Sequence, residues 1–173
     1  MELDEEITIR EYDSEWPLWY IEETSALYSI FGQEVYIEHF GSTSIPGLVA
    51  KPVVDILIGI TDFPNIAKLH LKGLETLGYE CLGSAGIPER ISFRKRGQRS
   101  FNLAVTQYRS ALWDNNIMIR DYLRHNPDEA QHYAEHKIDV FQKGFRTLLA
   151  YSEQKSDFIT NLLTRAKTRK RNH

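Results

Sequence analysis

The sequence predicts an α+β protein: a mixed β-sheet packed with helices, followed by a C-terminal helical segment. Three observations predict it. Val53 to Ile60 is apolar and largely β-branched except at Asp55 and Gly59, the composition of a strand covered on both faces. Ile91 to Lys95 and Phe101 to Thr106 read as two strands joined at Arg96-Gly97-Gln98-Arg99, a hairpin. After the hairpin the apolar residues recur at helical spacing to the end of the chain.

The elements follow in order. Ile7 to Arg10 is expected as a short strand. Ser14 caps a helix in which Trp16, Tyr20, Leu27, Tyr28 and Phe31 recur at helical spacing, with Pro17 in the first turn and Gly32 as terminator. This aromatic stripe reads as core, because single-strand nucleic-acid binders interleave aromatics with basic residues and this helix has none. Val35 to Phe40 is a strand ending at Gly41. Asp62 caps a helix over Phe63, Ile66, Leu69, Leu74 and Leu77, which Gly78 ends, and Tyr79 to Leu82 is a further strand. Gly83-Ser-Ala-Gly-Ile-Pro is a loop. Ala111 to His125 is an amphipathic helix, Asn126-Pro127 caps and opens the next, and Ser152 to Ala166 is the third, with a break at Lys143-Gly-Phe-Arg.

A length of 173 residues with 42% hydrophobic content suits one domain over 1–173, with a sheet core over about 7–107 and helices over about 109–167. The net charge of −3 gives no global reason to expect nucleic acid as a partner. Lys167-Thr-Arg-Lys-Arg reads as a solvated, frayed terminus. Cys81 is the one cysteine, so no intramolecular disulfide forms, and its place in the run Tyr79 to Leu82 reads as packing. The acidic start lacks the basic and apolar regions of a signal peptide, and no apolar run approaches a membrane span of ~20 residues. A cytoplasmic location without membrane contact is expected. The tyrosines and tryptophans leave room for a homodimer contact.

The candidate site is the stretch Glu38 to Ile60. Gly41 lets the backbone turn sharply and approach a ligand closely. Ser42, Thr43 and Ser44 add hydroxyls and amides without intrahelical partners, a natural anion site, and Lys51 adds a full charge. Asp55 is a carboxylate inside an apolar strand, costly to bury without a metal ion or a cation, or else bonded to turn amides. His39, two residues before Ser42, either reaches what the turn holds or is a buried imidazole bonded to backbone. In the hairpin, Arg90, Arg94, Lys95, Arg96 and Arg99 put five cations in ten residues. They make either a charged edge that deters aggregation or, at Arg90 and Arg94, contacts to the phosphates or carboxylate of a ligand.

Other chemistries fit less well. Gly41 to Gly47 is not a kinase-type phosphate loop, because Leu48-Val49 stand where Lys-Ser/Thr is needed. Ile45-Pro46 follow Ser44 where a nucleophile elbow needs glycine. His132 and His136 are four apart on a helix, but Glu135 is misplaced for the zinc-protease pattern, so a solvated face is expected.

His39-Phe-Gly-Ser-Thr-Ser-Ile-Pro-Gly-Leu with Lys51-Pro-Val-Val-Asp-Ile closely resembles the GrpB family, bacterial proteins assigned to the nucleotidyltransferase superfamily. Tyr12-Asp-Ser-Glu-Trp-Pro, Gly86-Ile-Pro, Phe93-Arg-Lys and Arg120-Asp-Tyr-Leu-Arg with Pro127 extend the likeness over nearly the whole chain. The resemblance implies a Gly-Ser turn that holds a triphosphate and strand carboxylates that bind Mg²⁺. It implies a small-molecule nucleotide or phosphorylated ligand held by His39, Gly41, Ser42, Thr43, Ser44, Lys51, Arg90 and Arg94, with Arg120 and Lys137 as further candidates. Asp55 would be the Mg²⁺ ligand and the catalytic acid of a nucleotidyl transfer. Two positions depart from the pattern. Leu57 stands where a second acid is usual, and Asn102-Leu103-Ala104 stands where the family has His-Leu-His. Two competing readings stay open: an active transferase that recruits a substitute acid such as Glu38, and a catalytically silent interaction module, since relatives occur joined to dephospho-coenzyme A kinase.

Overall fold

A computed structural model of the chain describes residues 4–63 and 68–171. Helix α1 spans Trp16–Phe31, β1 Tyr36–Phe40, β2 Val54–Ile60, α2 Lys68–Thr76, β3 Glu80–Gly83, β4 Arg90–Lys95 and β5 Phe101–Gln107. Three helices close the chain: α3 Ala111–Arg124, α4 Pro127–Gln142 and α5 Leu148–Arg171. A single 3₁₀ turn, Ser42–Ser44, follows β1. The five strands form one mixed sheet in the order β1-β2-β5-β4-β3. Only the β2–β5 pair is parallel, and the chain between them supplies α2, β3 and β4.

Strand alternation divides the chemistry between the two faces of the sheet. Val54, Ile56 and Ile58 of β2 join Leu103 and Val105 of β5 and Phe93 of β4 in a core with Trp16, Leu27 and Phe31 of α1 and Leu74 of α2. The intervening residues face α3–α5. There Phe40 pairs with Asp55 and Asp55 with Asn102, while Glu38 pairs with Leu57 and Leu57 with Ala104. Leu57 is fully buried and packs with Ala104 and Trp113.

Several local expectations need correction. Ile7 to Arg10 is not a strand: Arg10 makes an isolated bridge to Ala50, and Glu6, just ahead of the segment, makes one to Thr147. Ser14 does not cap α1; Glu15 stands at the cap position, and Asp13 accepts the Glu15 amide at 2.9 Å just ahead of the helix. Asn126 precedes α4 without capping it, its amide donating instead to the Tyr122 carbonyl at 2.6 Å. Residues 64–67, with the expected helical position Ile66, lie outside the described residues, as does the side chain of Leu69; Asp62 stands in a turn ahead of them, and α2 is described from Lys68. Cys81 is exposed, since β3 is the outermost strand on its side of the sheet and has no neighbour beyond it. Lys167 to Arg171 continue α5 as ordered helix, Arg169 reaching Asn126.

Leu57 is the test of how this sheet face is held. Leu57→Ala is expected to cost about 2–5 kcal/mol in chemical denaturation. Leu57→Asp should cost more, because it buries an acid among apolar neighbours. An Asp variant as stable as the wild type would mean that a cation already faces this position.

Candidate functional site

Gly41 is the pivot of the site. Its φ of 69° and ψ of −171° lie in a region that side chains avoid. A Cβ built there would stand 2.5 Å from Asp55 Oδ2. The turn after β1 therefore lies directly against the Asp55 carboxylate, as the Phe40–Asp55 register dictates. Asp55 Oδ1 accepts a hydrogen bond from Asn102 Nδ2 at 2.9 Å. Asn102 thus aligns the acid from the neighbouring parallel strand.

Asp55 opens onto a cavity of about 520 Å³ between the sheet, the 41–53 connection, the β3–β4 loop and the three C-terminal helices. Among the described residues, the ionisable acids and bases lining it are Lys51, Asp55, Arg90, Arg120, Lys137 and Lys155, five basic groups and one carboxylate. Of the expected residues it brings together Gly41, Ser42, Thr43, Lys51, Asp55, Arg90, Arg120 and Lys137.

Three expected residues are not brought to the cavity. His39 alternates with Phe40 and so lies on the opposite face of the sheet. There it stacks on Tyr20 with ring centroids 4.9 Å apart, and its Nε2 meets the Thr43 hydroxyl at 2.9 Å. Burial, with Arg124 and Arg120 acting in the same direction, pushes its pKa down to about 4, so it is a neutral structural imidazole. Ser44 turns inward and donates to the Gly41 carbonyl at 2.7 Å, which closes the turn. Arg94 stands on the cavity face of β4, but its guanidinium is committed to Glu80 of β3 at 2.7 Å.

The remaining cations differ in how far they are committed. Arg120 donates to Glu38 at 2.6 Å, to Asp121 at 2.8 Å and to the His39 carbonyl at 3.1 Å, which makes it a wall of the cavity. Lys137 is 1% exposed and donates to the Val49 carbonyl and, at 3.1 Å, to the Ser42 hydroxyl. Burial, with Lys155 adding like-charge repulsion, pushes its amine down to about 6. Among the described residues, Lys51 has no side-chain hydrogen-bond or ion-pair partner. Lys155 has only the Tyr151 ring, 4.3 Å from its Nζ. Burial lowers both amines to about 8, while Asp55 acts to raise them. Arg90 is likewise desolvated and within the field of Asp55, and its Nε is buried without a partner. Ser92 Oγ and Tyr151 OH, on the same cavity, are also buried and unpartnered.

Sequence reasoning missed Lys155, Ser92, Tyr133 and Tyr151. A usable signal existed for three of them. Tyr151, Lys155 and Ile159 recur every four residues on α5, and Tyr133 and Lys137 do so on α4, so each lysine falls in line with residues that pack inward.

The side chains present do not make a two-metal site. Among the described residues, no group of three or more His, Cys, Asp or Glu side chains could hold a metal ion. Glu38, the substitute acid considered above, is occupied by Arg120. His132 and His136 form no such group either; His136 stacks on Phe158 at 4.7 Å.

The family model described as GrpB protein matches residues 6–165. The chain belongs to the GrpB family. It is 32% identical to a UPF0157 protein of Halalkalibacterium halodurans over 92% of this chain and 82% of that one. It is 29% identical to the glutamate-rich protein GrpB of Alkalihalophilus pseudofirmus, over 91% and 94% of the two chains. The crystal structure of GrpB from Enterococcus faecalis superposes with a TM-score of 0.84 at 28% identity, covering 94% of this chain and 98% of that one. More distantly, the Cid1 poly(U) polymerase with Mg 3'-dATP bound gives a TM-score of 0.51 at 18% identity, over 84% of this chain and 49% of that one. The nucleotidyltransferase-like fold is therefore shared. Among the described residues, no helix of this GrpB family member is long and apolar enough to cross a membrane.

Two measurements probe this geometry. Gly41→Ala should destabilise the protein by about 1–3 kcal/mol through backbone strain alone. It should cost more than Gly47→Ala, where φ is 79° but the space is open, and Asp55→Ala should remove the excess in the double variant. The second concerns pH. Because burial holds the Lys137 amine below its ordinary 10.5, at about 6, the unfolded chain binds more protons between those values. Stability without ligand should rise with pH across that window, and Lys137→Met should flatten the rise.

Proposed function

We propose that this GrpB family member binds a nucleotide or another phosphorylated small molecule in the cavity beside Gly41. The observation that carries the reading is the imbalance of the cavity: among the described residues five basic side chains line it with one carboxylate, and Lys51, Lys155 and Arg90 lack ion pairs. Desolvated cations without counterions are costly, and an anionic ligand supplies the missing charge. The Ser92 and Tyr151 hydroxyls and Arg90 Nε add polar contacts that the protein itself leaves unmet. In this reading Ser42 and Thr43 line the phosphate end, Lys51 and Arg90 neutralise it, and Lys137 fixes the turn by holding Ser42. His39 acts only through Thr43, and Arg94, paired with Glu80, takes no part.

Nucleotidyl transfer is a second reading, favoured by the position of Asp55 on the strand that follows the Gly-Ser turn. Mg²⁺ would have one protein carboxylate there and would depend on ligand phosphates for its remaining ligands. The cytoplasm, where nucleotides are abundant, is the compartment this reading expects.

A panel of nucleotides, coenzyme A precursors and inorganic phosphates should contain a compound that raises the melting temperature, since binding only to the folded state stabilises it. Lys51→Ala should weaken that compound about tenfold or more, the loss of one charge-assisted hydrogen bond. Binding should take up protons and tighten as pH falls from about 8 toward 6, because an anion raises the lowered pKa values of Lys51, Lys137 and Lys155. Calorimetry in buffers of different ionisation enthalpy counts those protons. A panel without any shift would favour the interaction-module reading, and pyrophosphate release from a nucleoside triphosphate would favour transfer.

A further inference from the structure

We propose that in this chain the ammonium group of Lys155 takes the electrostatic place that a divalent metal ion would hold beside Asp55, so that the phosphorylated ligand binds without a metal. The inference rests on the phosphate-binding reading above and adds to it the identity of the counter-charge.

Four observations point the same way. Among the described residues Asp55 is the one acid lining the cavity, and the next position on the same strand face is Leu57, buried against Trp113. One oxygen of the Asp55 carboxylate, Oδ1, already accepts a hydrogen bond from the Asn102 amide, and the turn at Gly41 passes close beside the other. Glu38, the next acid on this face, is held by Arg120 at 2.6 Å. Lys155, Lys51 and Arg90 all line the cavity with Asp55 and lie within its field, and among the described residues none of the three is in an ion pair.

A hard divalent cation needs several oxygen ligands. Here it would find one carboxylate, with one oxygen already hydrogen-bonded, and at least three positive charges repelling it. The same positive charges suit a polyphosphate without help. Lys155 differs from the other two in reaching the cavity from the C-terminal helix α5, where the Tyr151 face supports its charge, and it is the one we assign to the place of the metal. Asp55 then serves as the internal counterion that keeps these amines in place, and Asn102 orients it.

The two roles for Asp55 predict opposite signs. If Asp55 holds a metal that holds the phosphate, its neutralisation abolishes binding. If it is a counterion among lysines, its neutralisation leaves the cavity more positive and binding intact or tighter. The experiment is calorimetric titration of inorganic tripolyphosphate into wild type, Asp55→Asn, Lys155→Met and Lys155→Arg, each in EDTA and in Mg²⁺. Ligand-free melting curves establish that every variant is folded.

The expected result is binding in EDTA at least as tight as in Mg²⁺ and affinity retained or raised in Asp55→Asn. Lys155→Met should lose about tenfold or more, with partial recovery in Lys155→Arg. Binding that appears only with Mg²⁺ and vanishes in Asp55→Asn would overturn the inference while leaving the phosphate reading intact. Failure of the wild type to bind tripolyphosphate in either condition would overturn both.

Discussion

The contact between Gly41 and the Asp55 carboxylate is the constraint on which the site depends. With a Cβ excluded at Gly41, the chain leaving β1 can pass directly over the acid on β2, and the Ser42–Ser44 turn is delivered to the mouth of the cavity. Any bulkier residue would push the turn outward or the carboxylate aside. Asn102 completes the arrangement from β5, so that the acid is located by two strands and a turn. An acid positioned this rigidly loses little further freedom when a ligand arrives.

Around that acid the protein has gathered more positive charge than it neutralises. The chain as a whole is slightly acidic, so the basic character of the cavity is local and owes nothing to overall composition. Such a concentration opposes folding, since each buried amine loses hydration and repels its neighbours. It persists here where a mobile anion could offset it, which is the usual sign of a site held ready for a ligand. The C-terminal helices have a clear part in this: α4 brings Lys137 to the turn and α5 brings Lys155 to the acid, while their apolar stripes close the cavity.

The sheet itself separates support from chemistry. His39 and Phe40 are adjacent in the chain and face opposite layers, His39 locked between Tyr20 and Thr43 and Phe40 beside Asp55. A histidine in a motif is easily taken for a ligand, and the alternation of the strand alone assigns this one to the support layer. Arg94 makes the complementary point: it faces the cavity side, yet Glu80 opposite it on β3 takes its charge.

Much of this was legible in the sequence. The period-two and period-three-to-four patterns specified the hairpin, the central strand and the helices. Gly41, Lys51 and Asp55 stood out because each is chemically out of place in its local run. These signals are local, carried by backbone conformation and burial within a few residues, and so they survive without coordinates. What the tertiary structure alone decided is which distant groups share the cavity. Lys155 and Asp55 are a hundred residues apart in the chain, and Leu57 gives no hint that Trp113 fills the space beside it. Such pairings arise from how helices pack across a sheet, a geometry that depends on the whole core and leaves no mark in the spacing of any one segment.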